Sequence, residues 1–424
     1  MGRMFWMFGR KTGGRRGGAA LPLAIAPVFA AVALFTGCND NGGDAPGWYK
    51  KDPLADEFTL STGEDLAGLA KIVNNGTDDF WGKTVRLAND IDLSAYGKNH
   101  NGGKGWVPIG NEAAPFRGIF DGGRKSVSGL YINDTTLNCA GLFGYINGGT
   151  VRNLGVVDVE VSGGGNLADS EADVGGVGGV VGESRGNVDD CHTTGTVRGE
   201  RAYTGGVAGL VYGRVANCYS AATVSGSYCV GGVVGNGDAD KCYATGAVSG
   251  GGSLGGVVGA GSAANCYAMG AVGSNGFSPT VGGVVGHGSA TNCYATGAVG
   301  GIATSHYHLG GVVGVAYWST VTNCAALNPR IGSGGNDAYE KGRVVGLVST
   351  NSTISNNAAF IGISGQWDST GVNLRDGEDI TAAQIRADGT IGGRFIAANG
   401  WTVQNGMLPG LFGAAVPLPL HLRD

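Results

Sequence analysis

The stretch NCYATGAVGG, residues Asn292 to Gly301, decides the fold because the chain repeats it. Residues 241–250 read KCYATGAVSG and residues 265–274 read NCYAMGAVGS. Six cysteines share this register at intervals of 27, 24, 24, 27 and 31 residues: Cys191, Cys218, Cys242, Cys266, Cys293 and Cys324. A repeat of this length is typical of a solenoid, in which each repeat forms one turn.

A Gly-Gly-Val-(Val/Ala)-Gly block begins 11 to 14 residues before each of these cysteines. Each repeat then contains three short strand-like segments separated by glycine-rich corners, without a helical period between Asp173 and Asn323. Three strands and three corners make one turn of a parallel β-helix, with turns stacked about 4.8 Å apart. The sequence therefore predicts an all-β solenoid.

The two ends depart from the repeat, which predicts caps that cover the terminal turns. We expect an N-terminal cap and the first turns over residues 58–133, repeats over residues 134–360, and a C-terminal cap over residues 361–424. The N-terminal cap should contain a strand and a helix within FTLSTGEDLAGLAKIVNNG, residues 58–76.

Residues 1–37 are predicted to be an export signal. Five basic residues and an apolar run precede the sequence LFTGC, which ends at Cys38 and resembles a bacterial lipobox. Lipid on Cys38 would anchor the protein to the membrane of the cell envelope, with residues 38–57 as a flexible tether. The alternative is an ordinary secretory peptide with a chance cysteine.

The composition excludes a nucleic-acid-binding surface. Of 424 residues 85 are glycine and only 14% are charged, and the chain after residue 37 carries 23 basic against 33 acidic residues. An acidic surface has no electrostatic reason to bind nucleic acid.

The repeats resemble the GLUG family of bacterial secreted and surface proteins. The residues GLFG at 141–144 match the name directly, and LANDIDL at 87–93, WVPIG at 106–110 and FRGIFDG at 116–122 resemble the family's usual opening. The resemblance implies a right-handed parallel β-helix outside the cell and adhesin-like or carbohydrate-associated roles, but no agreed catalytic residue. His-Glu-x-x-His, the zinc motif of immunoglobulin-cleaving metallopeptidases in the family's wider context, does not occur here.

The six cysteines in register should form a column. A buried ladder of thiols is one interpretation, since cysteine is a small apolar side chain suited to a core. Cross-turn disulfides are the alternative, because turn spacing lies within the range for Cα atoms of a disulfide, and a metal column is a third. Two further cysteines, Cys139 and Cys229, fall outside this register.

The tyrosine after four of the cysteines should point to the other side of its strand. If the cysteines face the core, an outward aromatic strip follows, which is a candidate ligand-binding surface for sugars or another protein. It consists of Tyr219, Tyr243, Tyr267 and Tyr294, extended by His192. The alternative is a ladder that only stabilises the sheet.

We find no catalytic constellation, metal site or cofactor site in the sequence. Between Ala202 and Ser305 the only charged residues are Arg214, Asp238, Asp240 and Lys241, too few for a repeated acid–base site. The sequence therefore favours a non-catalytic, lipid-anchored adhesin or ligand-binding protein, with glycan as a candidate ligand. A glycan-degrading β-helix enzyme and a structural spacer are the alternatives.

Overall fold

The computed structural model of the chain describes residues 45–164, 175–276, 279–301, 308–332 and 340–423. All strand-to-strand pairings in these ranges are parallel, and they build a β-solenoid of about nine turns with little helix. The parallel β-solenoid predicted from the repeats is confirmed.

Each turn of the repeat region contributes strands to three sides. The first side is a seven-stranded sheet of Gly176–Gly178, Tyr203–Gly205, Cys229–Gly231, Ser253–Gly255, Thr280–Gly282, His308–Gly310 and Lys341–Gly342. The second side begins directly after the glycine turn, with Val181–Ser184, Ala208–Val211, Val234–Asp240, Val258–Ala264, Val285–Thr291, Val313–Ala316 and Val345–Val348. The last residues of the three seven-residue strands in this set continue onto the third side, where they pair with its strands. The third side carries Asn187–Gly199, Arg214–Ala216, Tyr219–Ser220, Thr223–Gly226, Tyr243–Ala244, Val248–Gly250, Tyr267–Ala268, Val272–Ser274, Tyr294–Ala295, Val299–Gly301, Thr320–Thr322, Ala325–Ala326, Thr353–Ser355 and Ala358–Phe360. The strands of the second and third sides belong to one 29-stranded sheet, which also includes Glu57–Leu60, Thr84–Leu87, Ile91–Asp92, Ile119–Ser128, Tyr131–Asp134, Phe143–Ile146, Thr150–Gly163 and Glu378–Ile380.

Stacking in register makes the core. Val234, Val258, Val285 and Val313 pair directly from turn to turn and are fully buried. Each buried apolar side chain of this size stabilises the fold by about 1.5–3 kcal/mol. Because a valine at this position is buried in every one of these turns, the column explains why the block is repeated along the chain.

The glycines of the block let the first and second sides approach closely. A Cβ on Gly255 would overlap the carbonyl oxygen of Val258, and one on Gly282 would overlap that of Val285. The chain reverses direction here through two adjacent glycines, so the backbones of the two sides nearly touch. The side chains that precede and follow each block are thereby brought to a common edge.

The N-terminal cap contains the helices α1 (Gly47–Lys50) and α2 (Gly63–Asn74). Helix α2 begins with a capping box between Thr62 and Asp65, and its Leu66 and Leu69 are fully buried. The predicted tether of residues 38–57 is wrong in its second half. Tyr49 is buried, its ring stacks on Phe58 at 5.7 Å, and its hydroxyl lies 3.0 Å from Asp78.

The C-terminal region does more than close the end of the stack. The strand Glu378–Ile380 adds the last rung to Ala358–Phe360. Helix α3 (Ala382–Asp388) follows, with a capping box between Thr381 and Gln384. Residues 381–423, called the C-terminal strap below, then run back along the third side as far as Lys241, which lies beside Gly400. Short 3-10 helices complete the caps at Ser94–Tyr96, Asn101–Gly103, Ala397–Asn399 and Leu420–Leu422.

Candidate binding groove

The residues that flank the glycine block form two facing columns along the solenoid. One column consists of the first residue of each first-side strand, together with Cys139 at the same position one turn earlier. From turn to turn its residues are Cys139, Gly176, Tyr203, Cys229, Ser253, Thr280 and His308. The residue after the block stacks as Tyr145, Glu183, Leu210, Asn236, Ala260, His287 and Val315. We call the channel between these columns the flank groove.

The middle of the flank groove is an open cleft of about 360 Å³. Its lining residues are Tyr203, Tyr228, Cys229, Asn236, Gly252, Ser253, Ala260, Thr280 and His287. The hydroxyl of Thr280 donates a hydrogen bond to that of Ser253 at 3.0 Å, along the wall of the cleft. Partial desolvation lowers the pKa of His287 and favours its neutral form. Hydroxyls, an amide and an imidazole thus provide both donors and acceptors, without a fixed charge.

Three tyrosines gather at one end of this cleft. The rings of Tyr203 and Tyr228 meet edge to face with centroids 5.2 Å apart, and Tyr228 is 40% exposed. Tyr212 lies next to them, 65% exposed, with the guanidinium of Arg185 4.8 Å from its ring centre. Burial and the neighbouring Tyr228 raise the pKa of Tyr203, so its phenol remains a hydrogen-bond donor at neutral pH.

An acidic group lies further along the flank groove, beyond the tyrosines. Glu183 is 8% exposed, and burial raises the pKa of its carboxyl, an effect opposed by Arg185 at 3.2 Å. The thiol of Cys139 lies 3.9 Å from the same carboxyl group, across the groove. Burial raises the pKa of the Cys139 thiol to about 12, so this cysteine is not a nucleophile at neutral pH.

The predicted tyrosine strip exists as a column but not as an open surface. Ring centroids from His192 through Tyr219, Tyr243 and Tyr267 to Tyr294 are 4.7, 4.9, 4.7 and 5.2 Å apart, with planes within 4° of parallel. Each inner ring therefore has a neighbouring ring stacked on both of its faces. No face of an inner ring is open to a sugar. This geometry is that of a stabilising ladder, the alternative raised from the sequence.

The C-terminal strap also covers half of that column, which corrects the expectation that all four tyrosines face solvent. Tyr267 is 5% exposed and Tyr294 is fully buried, while Tyr219 and Tyr243 are half-buried. The hydroxyl of Tyr294 donates to the carbonyl of Pro409 at 2.6 Å, and its ring packs against Trp401 at 5.9 Å. The alternation of strand residues correctly placed these rings outside the solenoid, but the strap encloses them in a second core.

The cysteine column lies inside the solenoid, and all six of its members are buried free thiols. Its thiols donate to backbone carbonyls two residues earlier, as in Cys266 to Ala264 at 3.0 Å. Burial raises the pKa of Cys218, Cys266 and Cys324, which keeps these groups protonated. The two cysteines outside this register, Cys139 and Cys229, lie in one wall of the flank groove.

Sequence reasoning missed two further columns on the third side. The residue before each cysteine has a positive φ, for example 53° at Asn265, Asn292 and Asn217 and 52° at Lys241. Asparagine side chains there bond from turn to turn, Asn292 to Asn265 at 3.1 Å. The recurring asparagine before cysteine was the available signal for this ladder, since asparagine tolerates the left-handed conformation.

Oppositely charged residues alternate along the same side. From one turn to the next they are Glu57, Arg86, Asp121, Arg152, Asp189, Arg214 and Asp240. Asp121 is 5% exposed and accepts from both Arg86 at 3.1 Å and Arg152 at 3.0 Å. The next member of the ladder is a neutral residue, Asn265, whose side-chain amide donates a hydrogen bond to the carboxylate of Asp240 at 2.9 Å. Each of these charged groups forms an ion pair with an oppositely charged neighbour in the ladder. The ladder therefore offers no unpaired acid and base for catalysis.

The predicted signal, Cys38 and the first part of the tether lie outside the described residues. Within the described ranges no helix is long and apolar enough to cross a membrane. Those same ranges contain no group of three or more histidine, cysteine or acidic side chains placed to hold a metal ion.

Comparison with known proteins finds the GLUG motif in part of the chain. The family model described as "The GLUG motif" matches residues 305–332. The chain is thus a parallel β-solenoid in which the GLUG motif is present.

Two curated relatives match parts of the chain. "Putative Gly-rich membrane protein" of Evansella cellulosilytica is 46% identical over 74 residues, which is 17% of this chain and 8% of that protein. "Halomucin" of Haloquadratum walsbyi is 29% identical over 195 residues, which is 45% of this chain and 2% of that protein. The chain therefore spans only a small fraction of the length of these relatives.

Two solved structures are similar in outline. One is a "putative immunoglobulin A1 protease from Bacteroides ovatus", with 20% identity, a TM-score of 0.44, and coverage of 84% of this chain and 93% of that one. The other is named "IgA1 Protease", with 15% identity, a TM-score of 0.45, and coverage of 85% of this chain and 26% of that one.

Proposed function

We propose that this protein acts outside the cytoplasm as a surface-associated, lipid-anchored or secreted solenoid that binds a ligand in the flank groove without altering it chemically. The observation that carries the proposal is the open cleft lined by Tyr203, Tyr228, Asn236, Ser253 and His287. Ligand sites in proteins are concave and combine aromatic surface with a few placed polar groups, as this cleft does.

The surroundings of the cleft support binding rather than catalysis. The buried acid nearest to it, Glu183, is engaged by Arg185, and the thiol in the cleft wall, Cys229, has a pKa raised to about 11 by burial. General acid–base catalysis needs a second group positioned opposite the first. The name of one relative includes the words membrane protein, which agrees with a location at the cell envelope.

A matched pair of substitutions on one strand tests the site. Ala260 lies in the groove wall between Asn236 and His287, whereas Ala264 lies four residues later between Asp240 and Thr291 on the third side. Both alanines are half-buried. Ala260→Phe should fill the cleft, and Ala264→Phe adds the same ring elsewhere.

The purified protein would be screened against glycan and protein arrays, with the release of reducing ends and peptides followed over hours. We expect binding that Ala260→Phe weakens by at least about tenfold, or about 1.4 kcal/mol, while Ala264→Phe leaves it unchanged. Product release would instead support a degrading enzyme. Equal binding by both folded variants would show that the ligand binds elsewhere, and no binding at all would favour a structural spacer.

A further inference from the structure

We infer that the flank groove takes an uncharged, extended glycan chain that lies parallel to the solenoid axis. This inference rests on the proposed function, since it names the ligand class of the same site.

The lining of the cleft carries no fixed charge. None of the residues that line the cleft is acidic or basic except His287, whose lowered pKa favours the neutral imidazole. The four charged residues between positions 202 and 301 are Arg214, Asp238, Asp240 and Lys241, and none of them lines the cleft. A charged ligand would lose hydration here without gaining a counter-charge, which is unfavourable. Acidic and sulfated polymers are therefore poor candidates.

The lining of the cleft combines polar groups with an aromatic surface. Ser253, Thr280, Asn236 and Tyr203 provide hydroxyl, amide and phenol groups that both donate and accept hydrogen bonds. Tyr228 adds an exposed aromatic surface at the end of this row. A neutral sugar presents hydroxyls around its edge and an apolar patch on its ring, and both features find partners in this set.

The cleft is elongated along the solenoid axis. The wall from Tyr203 through Cys229 and Ser253 to Thr280 spans three turn intervals, or about 14 Å at the usual strand spacing. An occupant of the full cleft must therefore be elongated along the axis. Equivalent positions recur at each turn, so a polymer can use successive rungs as successive subsites.

The backbone of the wall argues against an extended peptide as the occupant. The amide of Ser253 donates to Tyr228 at 2.9 Å, and that of Thr280 donates to Gly252 at 3.3 Å. A peptide that adds a strand needs an open edge with unpaired backbone groups. These strands are already paired to the turns above and below, so only side chains face the occupant.

The test uses the purified protein and matched soluble polysaccharides: a panel of neutral glucans, mannans and galactans, and the same polymers after carboxymethylation or sulfation. We expect neutral members to bind, with affinity that rises with oligomer length until the cleft is filled. Because no charge is involved, raising the salt from about 0.05 to about 0.5 M should change the affinity less than twofold. Ala260→Phe should lower the affinity at least about tenfold, and Ala264→Phe should have no effect.

The outcomes separate this inference from the function on which it rests. Binding only to the charged polymers, a steep salt dependence, or binding to no member of the panel would overturn the neutral-glycan inference. A peptide or protein ligand whose binding is blocked by Ala260→Phe would also overturn it, yet it would keep the groove as the binding site. Neutral-glycan binding that Ala260→Phe does not affect, in a variant with unchanged circular dichroism, would overturn both.

Discussion

At the scale of single residues, the position before each cysteine sets the corner of the turn. Its backbone is left-handed in turn after turn, which costs most L-residues about 1–2 kcal/mol but is tolerated by asparagine. Asparagine occupies this position in the turns before and after, at Asn217 and Asn265, but Lys241 occupies it in the turn between them. The φ of Lys241 is nevertheless 52°. The cysteine that follows is buried in the core, so the corner cannot relax without disturbing the column.

Lys241→Asn should therefore stabilise the protein by about 1 kcal/mol, because it relieves the left-handed strain at this corner. Urea unfolding followed by circular dichroism measures the change. Lys241→Ala is the control, since alanine removes the lysine side chain without favouring the left-handed conformation. If the asparagine and alanine variants unfold at the same urea concentration, backbone strain is not the cause.

At the scale of elements, the C-terminal strap behaves as a small unit packed on the third side. Its Phe395 and Trp401 enclose Tyr294, with Trp401 3% exposed and its ring centre 5.0 Å from that of Phe395. The solenoid beneath is held by turn-to-turn pairing that does not involve the strap. Removal of a strap anchor should thus loosen the strap before the solenoid.

Trp401→Ala should cost about 3–5 kcal/mol of local stability and make residues 381–423 sensitive to protease while the strand signal in circular dichroism persists. Limited proteolysis with mass spectrometry reads out the cleavage sites. The same substitution at Trp318, which is 68% exposed, should change nothing. Cleavage of the strap at equal rates in both variants would mean that Trp401 does not hold it in place.

The position of the strap over the tyrosine column could not be predicted from the sequence. The valine and cysteine columns were predictable because they repeat at the period of the turn, and the outward direction of Tyr294 followed from strand alternation. The cover on Tyr294 comes from residues about 115 positions later, which carry no repeat. The groove was missed for another reason. Ser253 and Ala260 face a common cleft only because the glycine turn between them reverses the chain. In addition, the residue type at each of these two positions changes from one turn to the next, so the sequence shows no repeat there.

At the scale of the whole molecule, stability comes from continuous columns rather than from covalent links. The cysteine column runs from Cys191 to Cys324 inside the stack, and all eight cysteines of the described ranges are free thiols. A disulfide contributes about 2–4 kcal/mol, mainly by restricting the unfolded chain, so two or three cross-turn links would dominate the stability. Thiols whose pKa is raised by burial contribute only their packing and their weak hydrogen bonds.

The protein should therefore unfold at the same urea concentration with and without reductant, after purification under oxidising conditions. A thiol reagent should leave the column unmodified in the native state, because all six of its thiols are buried and inaccessible to the reagent. The same reagent should modify the column in step with unfolding as the turns separate. A lower midpoint in reductant, or fewer thiols in the denatured protein than the sequence contains, would instead establish cross-turn disulfides, and the core would then be held by covalent bonds between the turns.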